Sequence, residues 1–359
     1  MKKIYYITAV FATLFLVGCG DGIDLPGVNV ETDLNKIPLP DNNVNLEQVE
    51  LKPSTEPMLH EGLHTEEDFQ RIRDKKAAGE EPWVSAYQLL VESQFSQKTA
   101  DTYPTEWIKR GVSGDENYMN AARGATIVYQ QALRWKIEQD DEYAAKAVEN
   151  LNKWVQTCVG VTGNTNLSLA AGLYGYEFAI AGELLRDYEG WDRADFAAFQ
   201  NWLLKVFYPA NDDFLKRHHD TNPLHYWANW CLCNIAAKMA IGIVTDRRDI
   251  YNEGIAHLQT GDTNGRLRRA IYHDYAPDYN FAQWQESGRD QGHTLMCVGL
   301  MGIICQLAWS QGDDFFAYDD NLFLRACEYA ACCNYTNETV PYTTYIWQKQ
   351  SQWGYPIPE

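Results

Sequence analysis

The sequence is short of positive charge: 30 Lys and Arg stand against 49 Asp and Glu, for a formal net charge of −19. Phosphate binding needs a basic surface, so no nucleic-acid partner is expected. A polyanionic ligand would require cations gathered locally, focusing a positive potential inside a cleft of an otherwise acidic protein. Two clusters could do this, one at Arg217, His218 and His219, the other at Arg266, Arg268, Arg269 and Arg289. There is no Gly-x-Ser-x-Gly elbow, no phosphate-cradling glycine loop and no His-Glu-x-x-His zinc helix, which sets aside three common reaction classes. None of the nine cysteines has a C-x₂-C partner. The eight beyond Cys19 lie in apolar, helix-like stretches and read as buried thiols, with no metal, no cofactor and no disulfide framework expected.

Long apolar runs are equally scarce. The one that stands out follows Lys2 and Lys3, from Ile4 to Val17, and ends in Leu16-Val17-Gly18-Cys19. It is too short to span a bilayer and the right length for a signal peptide. A small residue directly before Cys after such a run resembles the bacterial lipobox. Residues 1–18 are therefore expected to be removed and the Cys19 thiol acylated, leaving an exported protein lipid-anchored at the outer membrane, on its periplasmic or surface face. No other segment reads as a membrane span. Residues 19–57, rich in Asp, Asn, Pro and Val without helical period, read as a tether.

The chain as a whole is rich in apolar residues (45%) and in aromatics, with 12 Trp, 22 Tyr and 13 Phe, most of them in the body, 58–359. Such rings either pack a large core or stack on the apolar faces of sugars. Thr65-Glu66-Glu67-Asp68 looks like a capping box opening a helix towards Ala78. Apolar residues at three and four spacing predict further helices near 83–95, 116–138, 141–157, 167–187, 192–207, 223–244, 247–259, 290–310 and 319–333. Alternating strands are scarce. Short turns between such helices imply stacked antiparallel hairpins, and without a fixed repeat an all-α toroid, an incomplete α/α barrel, leads over a solenoid. Two polar, aromatic, histidine-bearing segments, 208–230 and 260–293, break the rhythm and read as functional loops.

The first of these holds Asn222-Pro223-Leu224-His225-Tyr226-Trp227-Ala228-Asn229-Trp230. Pro223 suits a first helical turn, which would put His225 and Asn229 on one face at the positive end of a helix, fit to grip a carboxylate. The alternative is that Asn229 caps backbone and His225 fills a polar core position. The second holds Glu286-Ser287-Gly288-Arg289-Asp290-Gln291-Gly292-His293. A helix from Arg289 would place Arg289 and His293 on one face, with Asp290 orienting a neighbour. The alternative is a Glu286–Arg289 pair that only fixes a loop. Between them Tyr272, Tyr275 and Tyr279 are phenols that could exchange a proton beside a cation.

These stretches, with Gly172–Ala179, Glu328-Tyr329 and Val340-Pro341-Tyr342, resemble the alginate lyase superfamily in its Bacteroidetes-type lipoprotein branch. The likeness runs from about residue 58 onwards, and Glu286–His293 is its most specific part. It implies an α/α toroid and a lyase that cleaves 1,4-linked uronates, alginate, poly-β-D-mannuronate or glucuronan, by β-elimination. By the resemblance Asn229, with Asn222 as alternative, neutralises the sugar carboxylate, and His225 is base or second neutraliser. Arg289 and His293 bind the uronate or set the local potential. Tyr279 transfers the proton, with Tyr272 and Tyr275 next in order. Trp230 and Trp284 stack on sugars, and Tyr226, Trp227 and Glu286 complete the binding surface. The expected partner is an acidic polysaccharide or oligosaccharide, met by a monomer that touches membrane through its lipid anchor alone. Rival readings are a non-catalytic glycan-binding lipoprotein and a glycoside hydrolase using Glu286 or Asp290 with Asp212, Asp213 or Asp220.

Overall fold

The computed structural model describes residues 54–335 and 340–343. The expected signal peptide, Cys19 and the tether up to Pro53 lie outside the described residues. The chain divides into two compact units.

The first unit comprises 54–213 and 236–254. It opens with α1 (Glu66–Ala77), where Thr65 and Asp68 form the expected capping box. After α2 (Trp83–Glu92) and β1 (Trp107–Arg110) comes α3 (Tyr118–Glu138). That helix stops at Gln139, which turns left-handed (φ 56°) and donates its N–H to Trp135 O. Asp140 then caps α4 (Asp141–Thr157) by accepting the Glu142 N–H, and Lys98 pairs with the Asp140 carboxylate at 2.6 Å. So tight a stop and restart makes α3 and α4 an antiparallel hairpin.

Next come β2 (Gly160–Gly163), which pairs in parallel with β1, and α5 (Leu167–Leu184). α5 is apolar nearly all round and accordingly buried nearly all round, packed against α3 and α6 (Arg193–Val206). Close approach to α6 depends on Gly182, where a Cβ would lie 2.1 Å from the Phe199 ring. Phe178, Trp154, Trp202, Phe207, Phe199, Trp191 and Phe196 form a continuous ring cluster here, with neighbouring centroids 5.0–6.3 Å apart. Much of the aromatic surplus is therefore core rather than sugar-binding surface.

Two boundaries differ from the sequence expectation. Residues 208–217, expected as loop, are a helix, α7 (Tyr208–Arg217), with Pro209 in its first turn. The helix expected from Pro223 instead begins at Ala228, as α8 (Ala228–Val244), and is followed by α9 (Arg248–Thr260).

The second unit, in its described residues, comprises 214–235, 255–335 and 340–343. The 260–293 segment is less irregular than expected. It holds the short helix α10 (Leu267–Ala270) and an antiparallel pair, β3 (Ile271–Asp274) with β4 (Ala282–Trp284). A 3-10 turn at Gln285–Gly288 follows. Then come α11 (Gln291–Ser310) and α12 (Tyr318–Tyr335), which pack together. Contrary to expectation, α11 is long and apolar enough to cross a membrane (mean hydropathy 1.4). More than half of it is buried, as in the core helix of a soluble protein.

Candidate active site

The residues around Asn229 and around Arg289 meet in the second unit, through hydrogen bonds that start one helix. The first N–H groups of an α-helix have no intrahelical acceptor. At α8 the Ala228 N–H donates to Gln285 Oε1 (3.0 Å) and the Asn229 N–H to Glu286 Oε1 (3.2 Å). The cap of α8 thus comes from the 3-10 turn after β4, far along the chain.

That cap explains why Pro223 does not begin a helix. Asn222 folds its own neighbourhood instead: its Oδ1 accepts the Leu224 N–H and its carbonyl the His225 N–H. Asn264, 1% exposed, donates its side-chain amide to Leu224 O (3.1 Å) and Tyr226 O (2.8 Å), holding the loop against the unit. Asn264 escaped sequence reasoning because nothing local marks it. His225 and Asn229 consequently do not share a helical face. The Tyr226 ring packs among Phe214, His218, His219, His225 and Trp230 at 4.7–5.9 Å. Asn222, His225, Trp227 and Trp230 remain part-exposed.

On the other stretch, Arg289 precedes α11 rather than belonging to it, because Asp290 is the N-cap, accepting the His293 N–H at 2.8 Å. Arg289 and His293 are therefore not one helix face, although Asp290 links them. Its Oδ2 lies 2.6 Å from His293 Nδ1 and 3.8 Å from Arg289 Nε. The arginine N–H donates to Glu286 O, and its Nη1 lies 3.5 Å from Glu286 Oε2. Its guanidinium carbon sits 5.2 Å from the Trp227 ring centroid, a cation–π arrangement. The Arg289 side chain keeps 24% exposure while Glu286 keeps none. A positive group is thus held open to solvent by a carboxylate sealed behind it.

Two expected sugar contacts are corrected. Trp284 is fully buried, donating Nε1–H to Ala326 O and facing Phe323, so it packs core. Glu286 is equally buried and caps α8, so it supports the site without reaching a ligand. Burial raises its pKa, opposed by Arg289 and His293. Asn229 is 2% exposed, and its Oδ1 has no hydrogen-bond partner among the described residues. A buried amide left incomplete costs free energy unless a ligand completes it. The two ends of an amide exchange on a half-turn, so a donor can occupy that position.

The three tyrosines separate. Tyr279 is 54% exposed on the connection between β3 and β4. Tyr275 donates its hydroxyl to Gln283 Oε1 at 2.6 Å, near Thr343 Oγ1 at 3.1 Å. Tyr272 is 6% exposed and falls where the β3–β4 register slips, between the pairs Ile271↔Trp284 and His273↔Gln283. Such bulges re-aim side chains and concentrate beside active sites. Burial raises the pKa of Tyr272.

Much of the expected cation clusters is occupied structurally: Arg217 pairs with Asp220, Arg268 with Asp319, and Arg269 donates to Asp262 O. His218 is buried, stacked on Phe214 at 4.6 Å, with Nε2 3.4 Å from Cys231 Sγ. It opens a run of three left-handed residues, His218, His219 and Asp220. Burial lowers its pKa to about 4 from 6.5. The unfolded chain therefore holds an extra proton between those values, so this contribution to stability is complete above pH 6.5 and fades as pH falls through about 4. The loss is on the order of 3 kcal/mol. His218→Gln is expected to flatten the acid limb of stability measured by urea unfolding; an unchanged slope would assign that limb to other groups.

His60-Glu61-Gly62-Leu63-His64 does spell the metal-binding string, but in non-helical chain. His60 Nε2 lies 3.0 Å from Asp246 Oδ1 and His64 Nε2 lies 2.6 Å from Tyr129 OH, so the string makes no zinc helix. The carboxylates of the hydrolase reading also have partners: Asp212 holds Lys238, Asp220 holds Arg217 and Asp290 caps α11.

The alginate lyase family model matches residues 72–338. Among curated proteins nothing matches. Among solved structures, a histidine-to-alanine variant of alginate lyase A1-III in complex with a tetrasaccharide superposes at TM-score 0.59 and 14% identity, over 78% of this chain and 82% of that one. Alginate lyase A1-III from Sphingomonas species A1 gives 0.54 at 13% identity, over 77% and 79%. An alginate lyase from Bacteroides ovatus gives 0.51 at 14% identity, over 75% and 82%. At such identities the likeness is one of fold, and it agrees with the expected α/α-toroid class of helical hairpins. With the family model matched over most of its length, the chain belongs to the alginate lyase family and is a polysaccharide lyase.

Proposed function

We propose that this lyase cleaves 1,4-linked uronate glycans, alginate of the poly-β-D-mannuronate type or glucuronan, by β-elimination. The observation that carries the reading is Arg289, part-exposed over Trp227 and backed by the sealed Glu286, which accepts the backbone N–H of Asn229, a residue whose side-chain Oδ1 has no partner among the described residues. Arg289 and Asn229 would draw charge from the sugar carboxylate, which makes the C5 proton acidic enough to remove. The base takes that proton, the C5–H electron pair forms the C4–C5 double bond, the C4–O bond breaks, and a phenol protonates the departing O4.

Tyr272 is assigned the phenol. The Tyr272 phenol, raised further by burial, stays protonated at neutral pH and so suits the donor role, whereas Tyr279 lies out in solvent. His225 is assigned the base. His293 and Asp290 set the potential at Arg289, while Trp227 and Trp230 supply sugar-facing rings. In support, two related structures were captured with tetrasaccharide after replacement of one histidine or one tyrosine, the same residue types.

Incubation with poly-mannuronate, glucuronan and a neutral glycan tests the reading. An ultraviolet-absorbing unsaturated product is expected from the uronates alone, and its absence from both would overturn the assignment. The protein is further proposed to be lipid-anchored through Cys19. Cys19→Ala is expected to move it from the membrane to the soluble fraction; retention with the membranes would exclude the thiol as the anchor.

A further inference from the structure

The first unit carries a second constellation of polar groups that the elimination does not use. Thr126 and Tyr129 lie one turn apart on α3, Glu177 on the facing α5, and His64 in the segment before α1. Thr126 donates its hydroxyl to Glu177 Oε1 at 3.0 Å. His64 Nε2 lies 2.6 Å from the Tyr129 hydroxyl, with the two rings stacked at 5.9 Å and 17°. Phe69 backs the imidazole at 5.5 Å.

A purely structural network in a helical core closes on itself, because a partly satisfied one is worse than an apolar core. This one does not close. Among the described residues Glu177 Oε2 and His64 Nδ1 have no hydrogen-bond partner, and His64, Tyr129 and Glu177 are all part-exposed. They present an unfilled acceptor and donor set to solvent.

The set is also uncharged near neutral pH. Burial pushes the Glu177 carboxyl up to about 8 and the His64 imidazole down to about 4. Thr126 and Tyr129 are the groups that face Glu177 from α3. Asp68 faces His64 and is itself taken by Thr65 and Arg71. Of the charged groups on the other elements packed on α5, Lys109 of β1 pairs with Asp115 and Arg110 lies over Tyr118. On α6, Arg193 donates to Arg186 O and Asp195 accepts from Asn152, and Lys205 is the remaining cation. The Glu177 shift traces to burial, opposed by the Thr126 bond, and to none of these ions.

We infer that His64, Tyr129 and Glu177 form a second saccharide-binding site, taking a sugar acid through its hydroxyl and carboxylate oxygens. A neutral acid offers an O–H to a sugar carboxylate where a carboxylate would repel it. In a protein of net charge −19 that difference decides whether an acidic sugar is tolerated there. The choice of a sugar acid rests on the proposed uronate substrate; the site itself rests on the unclosed network.

The test is calorimetric titration of uronate and neutral oligosaccharides of equal length into the intact protein, below and above pH about 8. Uronate affinity is expected to fall about tenfold or more as pH rises through that value. Glu177→Gln, which stays neutral, is expected to bind within about threefold of the wild-type low-pH value and to lose the pH dependence. Glu177→Ala should weaken binding about tenfold at low pH, and the glutamine variant decides alone if the alanine variant does not fold. A wild-type affinity flat across that range, or a glutamine variant as pH-dependent as the wild type, would overturn the site. Binding that depends on Glu177 without any unsaturated product would instead overturn the elimination and leave this site standing.

Discussion

Replacing Tyr272 by phenylalanine is expected to lower kcat on a poly-uronate by about a thousandfold, with oligosaccharide affinity held within about twofold. The substitution deletes one oxygen and leaves the ring where the β3–β4 bulge puts it. General acid–base groups contribute about 10²–10⁴-fold, and the loss of the one donor to O4 falls within that range. Loss in kcat with unchanged affinity marks an interaction made in the transition state alone. Tyr279→Phe is the matched control: it alters an exposed phenol and should leave kcat within about twofold. Stopped-rate measurement of unsaturated product checks both, and the reverse ranking would return the role to Tyr279.

Glu286→Ala should be the most damaging change that touches no substrate. It removes the acceptor of the Asn229 N–H and the carboxylate behind Arg289. Breaking a buried pair in this way costs about 3–5 kcal/mol, because the remaining charge keeps its burial but loses its partner. Arg289 is 24% exposed and can turn to water, so the lower end applies, roughly 3 kcal/mol. Activity should fall further than stability, since displacing a binding group by about 1 Å can cost 10²-fold. Glu286→Gln still accepts the Asn229 N–H and should retain the fold within about 1 kcal/mol while slowing turnover about tenfold. Urea unfolding beside kcat separates the two effects. An alanine variant with wild-type stability and turnover would remove Glu286 from the account.

What the sequence made legible follows from how local each signal is. The capping box at Thr65 is written in adjacent residues, and α3 to α6 lie close to where apolar spacing predicts them. The start of α8 is not local. Its cap is supplied by Gln285 and Glu286, 57 residues away from the N–H groups they accept, so Pro223 misled while Ala228 carried no mark. The same contact joins the two predicted stretches. Their meeting was expected from chemistry, as two halves of the proposed carboxylate site, but not from geometry. Trp284 and Glu286 show the limit from the other side. A tryptophan and a glutamate beside an arginine look like sugar contacts in sequence, and their partners make them support: Trp284 donates to Ala326 O and Glu286 accepts the Asn229 N–H. The His-Glu-x-x-His string fails for the related reason that ligand spacing means something only on a helix.

The most direct test is a crystal structure of the Tyr272→Phe protein with a bound uronate tetrasaccharide. One sugar carboxylate is expected within hydrogen-bond distance of Arg289 and of the Asn229 amide, with C5 and O4 of that residue facing position 272. A tetrasaccharide whose carboxylates all lie away from Arg289 and Asn229 would contradict the account.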